Sequence, residues 1–265
     1  MQFSYVITYR SDQEIRAANV FAVLRWLSEI RDIEVVLVEQ DRRPRLTIDR
    51  LPANCTYHFV HNAGPFNKAW GLNVGFKKSS GTIVSFGDAD MVMNAGALMA
   101  SYERCHSEFE AMKPYGGHVD LTPEESQCVR GGNWSFDPDR KGLPRNREGI
   151  GEFVCFCGGL FLIRRSVYEE LGGFDERFLG WGGEDDAMSS KLSRLGKRIS
   201  SASDQVACHL WHERDIAARY FHPHYQNNVA RVNWYTTCDI QSLMQLCQQD
   251  RQSMGRPDKY GPCNP

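Results

Sequence analysis

Apolar runs and polar punctuation alternate along the chain in a way that predicts its elements. SYVITY (4–9) reads as a short strand, and residues 16–30 place Val20, Val23, Leu24 and Leu27 at helical spacing. IEVVLVEQD (33–41) follows as a strand apolar on both faces. This β-α-β order predicts a parallel sheet with a right-handed crossover and binding groups at the C-terminal strand ends. Thr8, Tyr9 and Arg10 fall at the first such end and Glu39 at the second. The unit repeats as a strand (57–63), a helix (67–79) and a strand (82–91) that runs into two carboxylates. Residues 114–151, rich in Gly, Pro, Arg and Asp, read as one long irregular loop. Order returns with a buried strand and helix in 153–171, a helix at 187–198, a short strand before CHLWHERD and a helix in 239–249.

Composition narrows the class only a little. The chain has 265 residues, 42% hydrophobic and 24% charged, and its formal net charge is -2, so no basic or acidic tail points to nucleic acid as a partner. MQFSYVITYRSD has no basic stretch leading into an apolar one, and no segment reaches the ~18 apolar residues of a membrane span. Nine cysteines are scattered without the paired spacing of a zinc ribbon. The expectation is a cytoplasmic protein with reduced cysteines, the Cys155/Cys157 pair belonging to the core.

Four clusters carry candidate chemistry. Asp88 and Asp90, in GDAD, are spaced i and i+2; at an extended strand end both carboxylates point one way, and few protein carboxylates plus phosphate oxygens suffice to hold a divalent ion. Alone, such a pair reads more readily as a solvated turn; the apolar strand in front of it and the small residues around it turn the reading toward function. His209 and His212, in CHLWHERD, meet on one face in a helical or turn conformation, and imidazole with carboxylate favours manganese over magnesium. His222 and His224 form a second, lower-ranked cluster. Glu184, Asp185 and Asp186 follow Gly180-Trp181-Gly182-Gly183 and precede a helix; taken alone they read first as a helix cap, a role that can coexist with an acid site beside a flat aromatic platform for a sugar. Lys68, after Phe66-Asn67, stands at a helix start where a cation would meet phosphate.

Read in order, ITYR, GPFNKAWGLNVGF, GDAD, FCGGLFLI, GWGGEDD and HLWHERD resemble the inverting GT-A fold glycosyltransferases, most closely the β-1,4-galactosyltransferase family and bacterial family 2 relatives of the chondroitin-polymerase kind. The resemblance implies an α/β, GT-A fold with a Rossmann-like, mostly parallel central sheet flanked by helices and a smaller acceptor-side subregion. The implied organisation is a transferase domain over 1–235, with a nucleotide-sugar half (1–93) and an acceptor half (94–235), then a C-terminal helix and tail (236–265); the 114–151 loop, long and polar, is expected to shape the acceptor site or to close as a lid.

Residue by residue, the resemblance makes Asp185 the general base. Glu184, Trp181, Gly183 and Asp186 fall on the acceptor side and Phe156 beside the donor sugar. Thr8, Tyr9, Arg10, Glu39, Phe66, Lys68, Asp88 and Ala89 line the nucleotide donor. Asp90, His209 and His212 hold Mn2+, with Mg2+ as an alternative.

The implied reaction moves galactose or N-acetylgalactosamine from a UDP-sugar to a hydroxyl of a glycan or lipid-linked glycan. Its setting would be bacterial surface polysaccharide or lipopolysaccharide synthesis, with peripheral membrane association. The alternative is a non-catalytic carbohydrate- or UDP-binding domain that keeps the fold. A nucleotidyltransferase would want a Gly-rich, Arg/Lys-bearing loop after the first strand, and SDQEIR is not one.

Overall fold

The structure is a computed structural model and describes residues 2–10, 13–134, 155–213 and 221–261. In chain order its strands are β1 (Phe3–Tyr9), β2 (Ile33–Asp41), β3 (Cys55–His61), β4 (Ile83–Gly87), β5 (Met91–Met93), β6 (Ala111–Lys113), β7 (Gly117–Asp120), β8 (Leu160–Arg164), β9 (Ile199–Ser201) and β10 (Val206–His209). The helices are α1 (Glu14–Ser28), α2 (Lys68–Lys78), α3 (Ala95–Ser107), α4 (Pro123–Arg130), α5 (Arg165–Glu170), α6 (Glu184–Arg194), α7 (Tyr225–Thr237) and α8 (Ile240–Ser253).

A seven-stranded sheet runs β3-β2-β1-β4-β8-β6-β9. β1, β2, β3 and β4 are mutually parallel, whereas β8 is antiparallel to both β4 and β6. The sheet is therefore mostly parallel with one reversed strand, in agreement with the α/β reading. Strand alternation feeds two cores. Phe3, Tyr5, Ile7, Val35 and Leu37 pack under α1 and α3, while Val6, Val36 and Val38 face α2, α5 and α6. Burial on both faces is why β2 reads as an unbroken apolar run.

α2 lies unusually close to the sheet. A Cβ on Gly75 would stand 2.3 Å from Val6 Cγ1, and one on Gly71 would stand 2.0 Å from Thr8 Oγ1. These glycines let the helix settle so that its first residue, Lys68, comes out over the C-terminal ends of β1 and β4.

A second, three-stranded sheet runs β5-β10-β7, with β10 antiparallel to β5 and parallel to β7. It departs from the sequence expectation, because β7 and α4 occupy the part of 114–151 read there as irregular. α4 is well specified: Thr122 accepts from the Glu125 amide while the Glu125 carboxylate accepts from Thr122 N–H, with Pro123 leading the helix. The rest of that segment, 135–151, lies outside the described residues, and the expected lid with it.

The C-terminal segment folds back onto α2. Trp70 Nε1 donates to the Arg256 carbonyl at 2.7 Å, Asn67 Nδ2 donates to Tyr260 Oη at 2.8 Å, and Gly255 N–H donates to Glu176 at 2.6 Å. Among the described residues no helix is long and apolar enough to cross a membrane, and the described cysteines are free.

Candidate active site

GDAD begins at the end of a strand, as its place in the sequence implied, but its two acids do not continue the extended chain. β4 stops at Gly87, and Asp88, Ala89 and Asp90 form a turn before β5, with Met91 N–H donating to the Asp88 carbonyl at 3.3 Å. The expected common direction of the two carboxylates gives way to two separate sets of partners. Asp90 meets two histidines, and Asp88 meets a lysine.

Asp90 Oδ1 lies 3.2 Å from His209 Nε2 and Asp90 Oδ2 lies 3.3 Å from His212 Nε2. All three side chains are buried, and their candidate ligand atoms lie within 4.8 Å of one another. β10 ends at His209, and the chain then turns; Leu210 N–H donates to the Asp90 carbonyl at 2.8 Å and so ties the histidine segment to the acidic turn. α4 and α1 grip the same segment: Trp211 N–H donates to Ser126 Oγ at 2.7 Å, and Asn19 Nδ2 donates to the Trp211 carbonyl at 3.2 Å.

The other ring nitrogen of each histidine also has a neighbour. His212 Nδ1 is 2.8 Å from the Glu213 carbonyl, and His209 Nδ1 is 3.3 Å from Asp120 Oδ1. A proton held on Nδ1 by an acceptor leaves Nε2 as a lone pair aimed at the pocket, the arrangement of ligating imidazoles. Burial works to raise the Asp90 carboxyl, but the histidines beside it hold it well below the usual carboxylate range. One anionic oxygen donor and two imidazole nitrogens fit a divalent ion of the manganese type. His222 and His224 do not join them; their rings are 5.4 Å apart, and His222 packs against Gly180.

Asp88 contacts the second pocket. Lys68 Nζ lies 2.9 Å from Asp88 Oδ1, 3.0 Å from Asp185 Oδ2 and 3.5 Å from Glu184 Oε1. Three acids around one cation keep Lys68 charged: burial opposes the charge, but Asp185, Asp88 and Glu184 together raise its pKa well above the ordinary value. Burial drives the Asp185 carboxyl in the same upward direction; Lys68 pulls it down, while Glu184 and Asp88 add to the rise, and the net position is well above the usual carboxylate range. Asp185 Oδ1 is buried with no hydrogen-bond partner. A carboxylate with one oxygen anchored and the other open is shaped to accept a proton.

The helix-cap reading of GGEDD is corrected here. The N-cap of α6 is Gly183, at φ 97°, with no side-chain cap, and Glu184, Asp185 and Asp186 form the first turn. A Cβ on Gly183 would meet Phe178 at 2.6 Å, so only glycine fits this left-handed corner. Asn228 Nδ2 on α7 donates to the carbonyls of Leu179 and Trp181, at 3.0 and 3.1 Å, and holds the loop. Trp181 is 39% exposed and stacks with Tyr225, ring centroids 6.3 Å apart. Asp186 is exposed, and Phe156 is half-buried near the second core.

The remaining sequence candidates line the strand ends, mostly as structural ties. Arg10 donates to the carbonyls of Gln40, Gly64 and Asn62 and lies over the Phe66 ring at 5.7 Å. Thr8 Oγ1 accepts from Gln40 Nε2 at 3.0 Å, Tyr9 is buried, and Ala89 is half-buried in the acidic turn. Glu39 is fully buried and accepts from Arg45 N–H, Leu46 N–H and Tyr57 Oη, so its carboxylate organises the loop after β2. Sequence reading missed Gln40, Asn67, Asp120, His118 and Ser126. Only the Thr122-x-x-Glu125 capping box that carries Ser126 had a local signal.

Comparisons with known proteins agree with this geometry. Residues 152–213, which hold GWGGEDD and both metal-pocket histidines, match the model of the N-terminal domain of galactosyltransferase. Human chondroitin sulfate N-acetylgalactosaminyltransferase 1 is 26% identical over 171 residues, 60% of this chain and 29% of the relative. Mouse polypeptide N-acetylgalactosaminyltransferase 3 is 27% identical over 117 residues, 44% of this chain and 18% of the relative. The chain thus spans less than a third of the length of these curated relatives.

In structure, S. aureus TarS, solved with UDP-GlcNAc, aligns over 98% of this chain and 75% of its own at TM-score 0.61 and 14% identity. The mannosyltransferase PcManGT from Pyrobaculum calidifontis, solved with GDP-Man and Mn2+, aligns over 94% of this chain and 73% of its own at TM-score 0.53 and 16% identity. The matched segment and the curated relatives make the chain similar to glycosyltransferases, and its fold is the GT-A fold of the solved neighbours.

Proposed function

We propose that this chain is a metal-dependent, inverting glycosyltransferase that moves galactose or N-acetylgalactosamine from a UDP-sugar to a sugar hydroxyl. The observation that carries the reading is the division of labour at one turn: Asp90 joins two histidines in a metal pocket, while Asp88 joins Lys68 and Asp185 in an acid-base pocket. A transferase needs both, one to hold the charge of the departing nucleotide and one to activate the attacking oxygen.

In this reading the acceptor hydroxyl gives its proton to the unpaired Oδ1 of Asp185, and its oxygen attacks the anomeric carbon from the face opposite the nucleotide. Configuration inverts. Lys68, now shared among three carboxylates, is the cation placed to turn toward the diphosphate. Asp90, His209 and His212 would hold Mn2+, which neutralises charge on the diphosphate as it leaves. Trp181 offers its exposed face to the acceptor ring and Glu184 a carboxylate to its hydroxyls. Thr8, Tyr9, Arg10 and Phe66 shape the floor under the nucleoside, and Phe156 borders the donor sugar.

The UDP donor is supported by the UDP-GlcNAc complex of TarS, and N-acetylgalactosamine by the names of the curated relatives. A cytoplasmic setting in surface-polysaccharide assembly, with lipid-linked acceptors at a membrane face, rests on the sequence reading; the curated relatives named above are mammalian. Calorimetry of UDP with and without Mn2+ tests the metal half of the proposal. UDP affinity is expected to rise with Mn2+ and to fall back on chelation. Equal affinity in both conditions would favour a carbohydrate-binding domain with no transfer chemistry.

A further inference from the structure

We propose that Asp120 is a positioning residue of the metal pocket, one that fixes the proton of His209 on Nδ1 and so presents Nε2 to a divalent ion. The inference rests on the metal reading of Asp90, His209 and His212 above.

The three-stranded sheet builds the contact. Its register sets His209 opposite Asp120 on β7 and opposite Met91 on β5, one residue after Asp90. Backbone bonds lock this end of the sheet: Leu121 N–H donates to the His209 carbonyl at 2.9 Å, and Leu210 N–H donates to the Asp90 carbonyl at 2.8 Å. The His209 ring then lies between two carboxylates, Asp90 at 3.2 Å from Nε2 and Asp120 at 3.3 Å from Nδ1. A neutral imidazole carries one N–H, and an ionised carboxylate only accepts. With an ion at Nε2 the proton must sit on Nδ1, and Asp120 is the group placed to receive that hydrogen bond.

The two nitrogens face opposite sides of the ring, so Asp120 acts through His209 and is not itself a ligand. His118 braces the arrangement. Its Nε2 is 3.7 Å from the same Asp120 oxygen, and its ring stacks on His209 with centroids 5.8 Å apart. His212 has a neutral counterpart in the Glu213 carbonyl, 2.8 Å from its Nδ1.

The test is a Mn2+ titration of the full chain by electron paramagnetic resonance, with Co2+ absorption as a second probe, on the wild type, Asp120→Asn, Asp120→Ala and His212→Ala. Asp120→Ala is expected to weaken Mn2+ about 10–100-fold and to change the Co2+ spectrum. Asp120→Asn, whose amide oxygen still accepts from Nδ1, is expected to lose less and to keep the wild-type spectrum in form. Should the alanine variant fail to fold by circular dichroism, a several-fold loss in the asparagine variant supports the proposal and an unchanged affinity there overturns it. Wild-type affinity and spectrum in a folded Asp120→Ala protein also overturn it, while a loss in His212→Ala leaves the metal reading standing. A wild type that binds neither ion removes the metal reading itself and the role of Asp120 with it.

Discussion

Asp90 is buried and Asp185 half-buried, one on either side of one turn, and their surroundings push them in opposite directions. Around Asp90 the neighbours are two imidazoles, and the carboxyl is held well below its ordinary range. Around Asp185 burial and two further acids outweigh a single lysine, and the carboxyl is held well above it. An acid kept ionised is suited to hold a cation, whereas one made more basic is suited to take a proton. The GDAD turn borders both environments because each of its acids faces a different pocket.

The largest test of that contrast removes the proposed base. Asp185→Asn is expected to lower kcat about 10²–10⁴-fold, the usual worth of a general base, with UDP and Mn2+ affinity retained. Its effect on stability has the opposite sign. A carboxyl whose pKa is raised in the fold stabilises most below its unfolded value, and that contribution is lost as pH rises through the folded one. At neutral pH the amide variant, which still leaves Lys68 paired with Asp88 and Glu184, is therefore expected to melt at a higher temperature. A drop in both activity and Tm would make Asp185 structural.

Removing a metal-pocket side chain attacks the other member of the pair. Asp90→Ala or His212→Ala is expected to weaken Mn2+ by more than the about 10–100-fold typical of outer contacts, and to reduce UDP affinity only when Mn2+ is present. Equal losses with and without the ion would assign these residues to nucleotide contact alone.

Lys68 links the two pockets, and Lys68→Met is expected to raise KM for the donor. It also removes the cation that draws the Asp185 carboxyl down, so the acid limb of the pH–rate profile is expected to move to higher pH. A limb that stays in place would disconnect Lys68 from the base. The smallest effect belongs to the acceptor platform: Trp181→Ala is expected to raise acceptor KM a few-fold, in keeping with about 0.5–1.5 kcal/mol for an aromatic contact, with donor KM unchanged.

Much of this was readable along the chain, for a physical reason. The β-α-β repeat is local, written in apolar period, and the strands β1, β2, β3 and β4 appeared where the pattern put them. Asp90, His209, His212, Lys68 and Asp185 were also legible, and the fold brings them into two adjoining pockets. What the pattern hid was pairing between distant segments. Asp120 meets His209 through a β7–β10 pair that no local period announces, and Gln40 meets Asn67 across a strand end and a helix start. Glu39 shows the converse: it stands at a strand end as the pattern placed it, but its partners, Tyr57 and the loop after β2, were not legible there. GDAD does stand at a strand end, but the common direction expected of its carboxylates failed because the chain turns at Asp88, which divides the two acids between pockets.

The central claim is that one turn serves a metal pocket and a base pocket in a working transferase. Its most direct test is UDP release from UDP-galactose and UDP-N-acetylgalactosamine, with Mn2+ and a panel of sugar acceptors, by wild type and Asp185→Asn. The account predicts Mn2+-dependent, acceptor-stimulated release by the wild type and its near loss in the variant. Release by the variant at the wild-type rate, or release indifferent to Mn2+, would contradict it.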